Sequence, residues 1–191
     1  IQLTREEGFI CSLLDDVCRW MQASNPSVEV DGQVHTYKDL CIGSDASDQP
    51  SSASTITCEA RIAGGWVRDK LLGLPSHDLD VSLSSLTGHQ FALFLKAYLE
   101  SDRFSQTKLA HEIAMHLPHR GPMGTIGKIA ANPEQSKNLE TATTNVLGFD
   151  LDFVNLRKEV YEGTHRIPVM SFGTPLDDAM RRDITVNALF Y

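Results

Sequence analysis

The sequence predicts an α+β fold, on three observations. The chain opens on a capped amphipathic helix, residues 60–99 alternate strand and helix candidates, and beyond residue 103 it reads mainly as strands and loops. With 191 residues, 41% apolar and 22% charged, it has the length and composition to bury a core.

Thr4 and Glu7 fit a capping box ahead of Ile10, Leu13, Leu14, Val17 and Met21, which recur at helical spacing. A short extended piece follows, then a polar stretch at 43–55 that reads as a mobile loop. Ala60 to Ala63 is a strand candidate that runs into Gly64-Gly65. Trp66 to Leu72 reads as a helix, stopped by Gly73 with Pro75 beyond it. From His77 to Leu83 the residues alternate, with Leu79, Val81 and Leu83 on one face and Asp78, Asp80 and Ser82 on the other. Thr87 and Gln90 cap a helix carrying Phe91, Phe94, Leu95, Tyr98 and Leu99. Strand candidates follow from Thr125 to Ile129, Glu140 to Val146 and Phe149 to Leu156, the first two joined by a polar connection at 131–138. Residues 157–173 read as a mobile excursion. Thr174-Pro175 opens a last helix with Asp177 and Asp178 in its first turn, where acids complement the helix dipole. The final apolar run, NALFY, is an abrupt ending for a native domain, so a fragment is expected.

Several function classes fall away. No run of about 18 apolar residues exists and the first residues lack a basic start and an apolar signal core, so neither a membrane span nor export is expected. Cys11, Cys18, Cys41 and Cys58 form no CxxC pair and no zinc-type spacing with histidine, which points to reduced, structural cysteines in an intracellular protein. A net charge of −8 argues against a surface that grips nucleic acid by electrostatics alone, though not against one that meets it through bound metal ions.

The chemistry concentrates in GGWVRDKLLGLPSHDLD, residues 64–80. A strand running into Gly64-Gly65 and then a helix lets backbone N–H groups approach a phosphate, and Arg68 adds a donor fork for the same anion. Asp78 and Asp80 point the same way from one strand, roughly 6.5–7 Å apart along it. Such like charges repel, and a divalent cation removes the cost. Either piece alone has a plain explanation, a tight turn or a solvated acidic face; together they favour a metal–phosphate site. A third carboxylate is expected from GFDLDFVNLR, where Asp152 lies between apolar neighbours and Asp150 is either a supporting partner or solvated. In the tail, Arg181 and Arg182 alone would be read as helix-end charges, but in this company an arginine for a triphosphate and Asp183 with Asn187 for sugar or base become credible.

Three other features carry less. GTIGKI, residues 124–129, puts Ile129 where a phosphate loop needs a hydroxyl, so it reads as a strand. His111, His116 and His119 lack a ligand spacing and read as solvated, as does the helical pair Asp15 and Asp16.

IAGGWVRDKLLGLPSHDLDVSL, followed by LDFVNLR and RRDITVNALFY, resembles the catalytic head of the class II tRNA nucleotidyltransferases, the CCA-adding enzymes of the polymerase β superfamily. The resemblance covers residues 60–83 and 124–191, and the TIGKIAANPEQSKNLETATTNVLGFDLDFVNLR stretch resembles fungal members. It implies that residues 1–191 form a nucleotidyltransferase head with its N-terminal helix, built on a mixed, mainly antiparallel sheet with helices packed on one side; the neck, body and tail are absent. Carried over by position, Asp78, Asp80 and Asp152 would be catalytic and hold two Mg²⁺ ions. Gly64, Gly65, Arg68, Arg182, Asp183 and Asn187 would bind the nucleotide. The implied reaction transfers CMP and AMP from CTP and ATP to the tRNA 3′ end, with the grip on tRNA supplied mainly by the missing domains and the fragment inactive alone. The same head also serves poly(A) polymerases and relatives that add only CC or only A, and a catalytically silent binding module is a further alternative, disfavoured by the intact aspartates. Such enzymes serve nucleus, cytosol and mitochondrion, and nothing in the sequence selects among these.

Overall fold

The computed structural model describes residues 1–41, 57–119, 121–129, 140–160 and 169–191. The expected loop at 43–55, the connection at 131–138 and the middle of the excursion, 161–168, lie outside them.

Helix α1 (Arg5–Ser24) has the expected capping box: the Thr4 hydroxyl accepts from the Glu7 N–H, and the Glu7 carboxylate accepts from the Thr4 N–H. Its apolar stripe, from Phe9 through Met21, is buried. A hairpin of β1 (Ser27–Val30) and β2 (Gln33–Thr36) and a single helical turn, α2 (Tyr37–Leu40), follow. Strand β3 (Ala60–Ala63) leads into α3 (Gly65–Leu71), and β4 (Asp78–Leu83) precedes α4 (Gly88–Leu99), capped by Thr87 and Gln90.

Beyond α4 the expectation of strands and loops needs correcting. Two helices, α5 (Asp102–Ser105) and α6 (Lys108–His116), are capped by Ser101 and Thr107. Phe104 and Ile113 are buried and Leu109 and Ala110 pack half-buried on the core, but at four and nine residues the helices run too few turns for the period to stand out in the sequence.

Strands β5 (Gly127–Ile129), β6 (Thr141–Val146) and β7 (Phe149–Asn155) complete a five-stranded sheet of order β3-β4-β7-β6-β5. The β4–β7 pairing is parallel and the others are antiparallel, so the sheet is mixed and mainly antiparallel. Leu79, Val81, Leu83, Leu151 and Phe153 join one core with α1, α3 and α4, whose Ile10, Trp66 and Phe91 are fully buried. The face opposite this core carries the aspartates.

The flanks of the expected excursion are also ordered. Strand β8 (Arg157–Val160) pairs antiparallel with β9 (Val169–Phe172), and the Gly173 N–H donates to the Leu156 carbonyl. A two-stranded ribbon needs few apolar residues, so its composition looked like that of a loop. Helix α7 (Pro175–Met180) then leads to a short 3₁₀ turn at Thr185–Asn187. The last residues run along the free edge of β3, with Ile62 and Tyr191 exchanging backbone hydrogen bonds of 2.9 and 2.8 Å. The apolar run NALFY therefore extends the sheet edge and carries Asn187 to the glycine turn.

Candidate active site

Parallel pairing of β4 with β7 sets Asp78 opposite Asp150 and Asp80 opposite Asp152. With strands about 4.8 Å apart and same-face residues roughly 6.5–7 Å apart along them, four carboxylates share one small patch. Only a long-range pairing could bring the two DxD segments together. Leu79 and Leu151, between the aspartates, are buried and fix which face the acids take.

The electrostatics follow from the crowding. Burial, then the neighbouring Asp78, push the Asp80 carboxyl above the usual range, and the Arg182 guanidinium only partly offsets this. Asp152 is likewise raised, by burial and then by Asp80, Asp78 and Asp150. Asp150 is steadied by the Asn145 side-chain amide, which donates to it at 2.8 Å. Among the described residues, no three His, Cys, Asp or Glu side chains come close enough together to hold a metal ion. Like-charged carboxylates on one face have reason to splay. The donor set itself is all carboxylate oxygen, the kind that hard divalent cations take, so the residues fit such an ion.

A group whose folded-state pKa is raised contributes stability at low pH that is lost as the pH rises through that pKa. Asp80 and Asp152 therefore weigh against the metal-free fold at neutral pH. Asp80→Asn should raise the melting temperature of the metal-free protein at pH 7, with the gain shrinking as the pH falls towards about 4, near the ordinary carboxylate value. A variant less stable than the parent at pH 7 would contradict this origin of the shift.

Beside the acids lies the glycine turn. Gly64 adopts φ 71° and ψ −129°, a region essentially closed to side-chain-bearing residues. A Cβ there would sit 3.0 Å from Arg182 Nη1 and 3.9 Å from Asp80 Oδ2. The Gly64 N–H is taken by the Leu189 carbonyl at 3.0 Å, so Gly64 contributes shape rather than a free donor. Arg68 donates to Asn187 Oδ1 at 2.7 Å and to Asp69 at 2.8 Å, and Asn187 Nδ2 donates to Asp183 at 3.2 Å. Arg182 donates to the Asn187 carbonyl at 3.1 Å. Arg68, Arg182, Asp183 and Asn187, 119 residues apart at the extremes of one hydrogen bond, thus form one network against the turn. Gly65 packs against the Arg68 guanidinium.

One residue of this network escaped the sequence reading. Asp178 is fully buried and binds Arg181 and Arg182, each at 2.9 Å, and accepts from the Arg157 N–H at 3.2 Å. It was expected to complement the helix dipole; its i, i+3 and i, i+4 spacing to the two arginines was the available signal. The features set aside stay apart from the site. Asp15 pairs with Arg19, His116 stacks on Phe9, and His111 bonds the Thr107 carbonyl.

A family profile described as "Poly A polymerase head domain" matches residues 60–191. The chain is 50% identical over its full length to a mitochondrial CCA tRNA nucleotidyltransferase of Saccharomyces cerevisiae and 42% identical to one of Candida glabrata. It spans 28% of the length of each of these relatives. A solved structure of a CCA-adding enzyme in an apo form superimposes with a TM-score of 0.48 at 24% identity, over 70% of this chain and 24% of its own. The profile match runs through every element that builds the aspartate face and its arginine network, and the chain belongs to the poly A polymerase head domain family.

Proposed function

We propose that this chain is the catalytic head of a tRNA CCA-adding enzyme, transferring CMP and AMP from CTP and ATP to the tRNA 3′ end. The observation that carries the reading is the register of Asp78 and Asp80 against Asp150 and Asp152, beside a turn lined by Arg68 and Arg182. The names of the relatives, mitochondrial CCA tRNA nucleotidyltransferases, support tRNA as a partner and an intracellular setting, and CTP and ATP are the nucleotides that addition of C and A would consume. No helix among the described residues is long and apolar enough to cross a membrane. The whole of residues 1–191 would act as one head unit, joined by α1 packing on α4, with tRNA gripped chiefly by the rest of the longer protein.

Divalent-metal use accompanies nucleotidyl transfer in this family. We assign Mg²⁺, as two ions, to Asp78, Asp80 and Asp152. The chemistry these ions supply when bound is a lowered pKa for the primer 3′-hydroxyl and charge relief on the leaving pyrophosphate. The chain's own residues bind and orient. Arg68 and Arg182 hold the triphosphate, Gly65 lets it approach, and Asp183 and Asn187 fix the arginines' geometry against sugar and base.

Arg182→Ala should weaken CTP and ATP binding alike by about 10- to 150-fold, the value of a charge-assisted hydrogen bond. Equilibrium binding of both nucleotides to the full-length enzyme checks this, and a loss confined to one nucleotide would move Arg182 to base recognition. The reading itself is tested by incubating that enzyme with Mg²⁺, CTP, ATP and a tRNA lacking its 3′ end. Addition of C, C and then A is expected; a run of A from ATP alone would indicate a poly(A) polymerase, and no addition a silent module.

A further inference from the structure

The aspartate face has two dissimilar flanks. On the β3 side stand the glycine turn and its arginines; on the β6 side lies a groove of about 390 Å³ lined by Thr125, Gly127, Thr143, Asn145, Asp150 and Asp152. This second flank offers hydroxyl and amide groups beside the Asp150 and Asp152 carboxylates, and its lining holds no cation. Thr143 is central to it, because the ladder sets it opposite Asp152 on β7 and opposite Gly127 on β5. All three therefore share the aspartate face. A Cβ at Gly127 would come within 2.9 Å of the Thr143 hydroxyl, so the glycine leaves that hydroxyl room beside the groove.

Nucleotidyl transfer is an in-line displacement. The primer 3′-oxygen bonds to the α-phosphorus while the bond to the bridging oxygen breaks and pyrophosphate leaves with those electrons; the hydroxyl proton passes to solvent or a base. Attacking and leaving oxygens lie on opposite sides of the phosphorus. The sheet order puts β4 and β7 between the arginine flank and β6, so a triphosphate held by the arginines leaves the β6 flank for the attacking strand.

We propose that the groove beside Asp152 receives the terminal ribose of the acceptor strand, and that the Thr143 hydroxyl hydrogen-bonds its 2′-hydroxyl. The inference rests on the nucleotidyl-transfer reading above. A groove lined by threonine hydroxyls, the Asn145 amide and the Asp150 and Asp152 carboxylates, with no cation among them, suits a sugar edge better than a phosphate, and the 2′-hydroxyl is the group by which a protein tells RNA from DNA at one position. Thr143 is then a positioning and sugar-selecting residue.

The test uses the full-length enzyme and two tRNA primers, one ending in a ribonucleotide and one in a 2′-deoxynucleotide that keeps its 3′-hydroxyl. The wild type should favour the ribose terminus by about 2- to 10-fold in kcat/KM, the range of one neutral hydrogen bond. Thr143→Val should lose that preference by slowing the ribose primer only, with CTP affinity measured at equilibrium unchanged. Thr143→Ser should retain the preference. Gly127→Ala, whose new methyl would meet the Thr143 hydroxyl at 2.9 Å and touch its backbone carbonyl oxygen at 3.6 Å, should behave as Thr143→Val does, which guards against misfolding of either variant. Equal loss on both primers, or weakened CTP binding, would overturn the assignment. Failure of the wild type to extend any primer would overturn the nucleotidyl-transfer reading itself, and this inference with it.

Discussion

Asp80→Ala in the full-length enzyme should reduce nucleotide addition on the order of a thousandfold or more, comparable to removing a principal electrostatic element of an active site. Asp80 is the member of the four whose surroundings are most mixed. It faces Asp152 across the ladder, shares its strand with Asp78, and lies beside Gly64 and Arg182. The change should leave the fold intact, because the alternation that buries Leu79 and Val81 is untouched and one repelling charge is removed. Asp78→Ala should act alike. Asp150→Ala should be milder, since Asn145 already engages that carboxylate. A primer-extension assay that found Asp80→Ala within tenfold of the parent would exclude Asp80 from metal binding.

A second large effect is expected where no catalytic role is assigned. Asp178→Ala should destabilise the protein by about 3–5 kcal/mol, the usual cost of deleting one partner of a buried ionic network. The carboxylate is fully buried and answers Arg181, Arg182 and the Arg157 N–H at once. Its loss leaves Arg181 without that carboxylate and Arg182 hydrogen-bonded, among the described residues, only to the Asn187 carbonyl, which loosens Arg182 in its seat near the glycine turn. CTP binding should therefore weaken together with stability, whereas Arg182→Ala should affect binding more than stability. Urea denaturation and nucleotide titration of both variants check the contrast. A loss below about 1 kcal/mol for Asp178→Ala would mean that the arginines find other partners.

Legibility in the sequence followed the range of the interactions. Thr4 with Glu7, Thr87 with Gln90 and Thr174 with Pro175 announced their helices because capping is a three-residue affair. The Asp78–Leu83 alternation announced its strand for the same reason. Helices α5 and α6 went unseen because, at four and nine residues, they are too short for a helical period to show. The β8–β9 ribbon resembled an excursion because its antiparallel pairing joins segments across a connection through backbone hydrogen bonds, which leave little mark in the sequence. The aspartates, Arg68, Arg182 and Asn187 could be named from motifs; the structure sets the aspartates on one sheet face and gathers Arg68, Arg182 and Asn187 at the glycine turn beside it. Their order could not be. The β4–β7 register joins segments some seventy residues apart, and parallel pairing leaves no local signature. Asp178 and Thr143 were missed for a related reason: a buried acid among arginines and a threonine opposite an aspartate acquire meaning only from tertiary neighbours.

The central claim is that the β4–β7 aspartates hold divalent metal beneath a triphosphate anchored at the Gly64 turn. Anomalous diffraction from the full-length enzyme crystallised with Mn²⁺ and a non-hydrolysable CTP analogue tests it most directly. The expected result is manganese density among Asp78, Asp80 and Asp152, with the phosphate chain reaching Arg68 and Arg182. Manganese bound elsewhere, or a triphosphate lying on the Thr143 flank, would contradict the account.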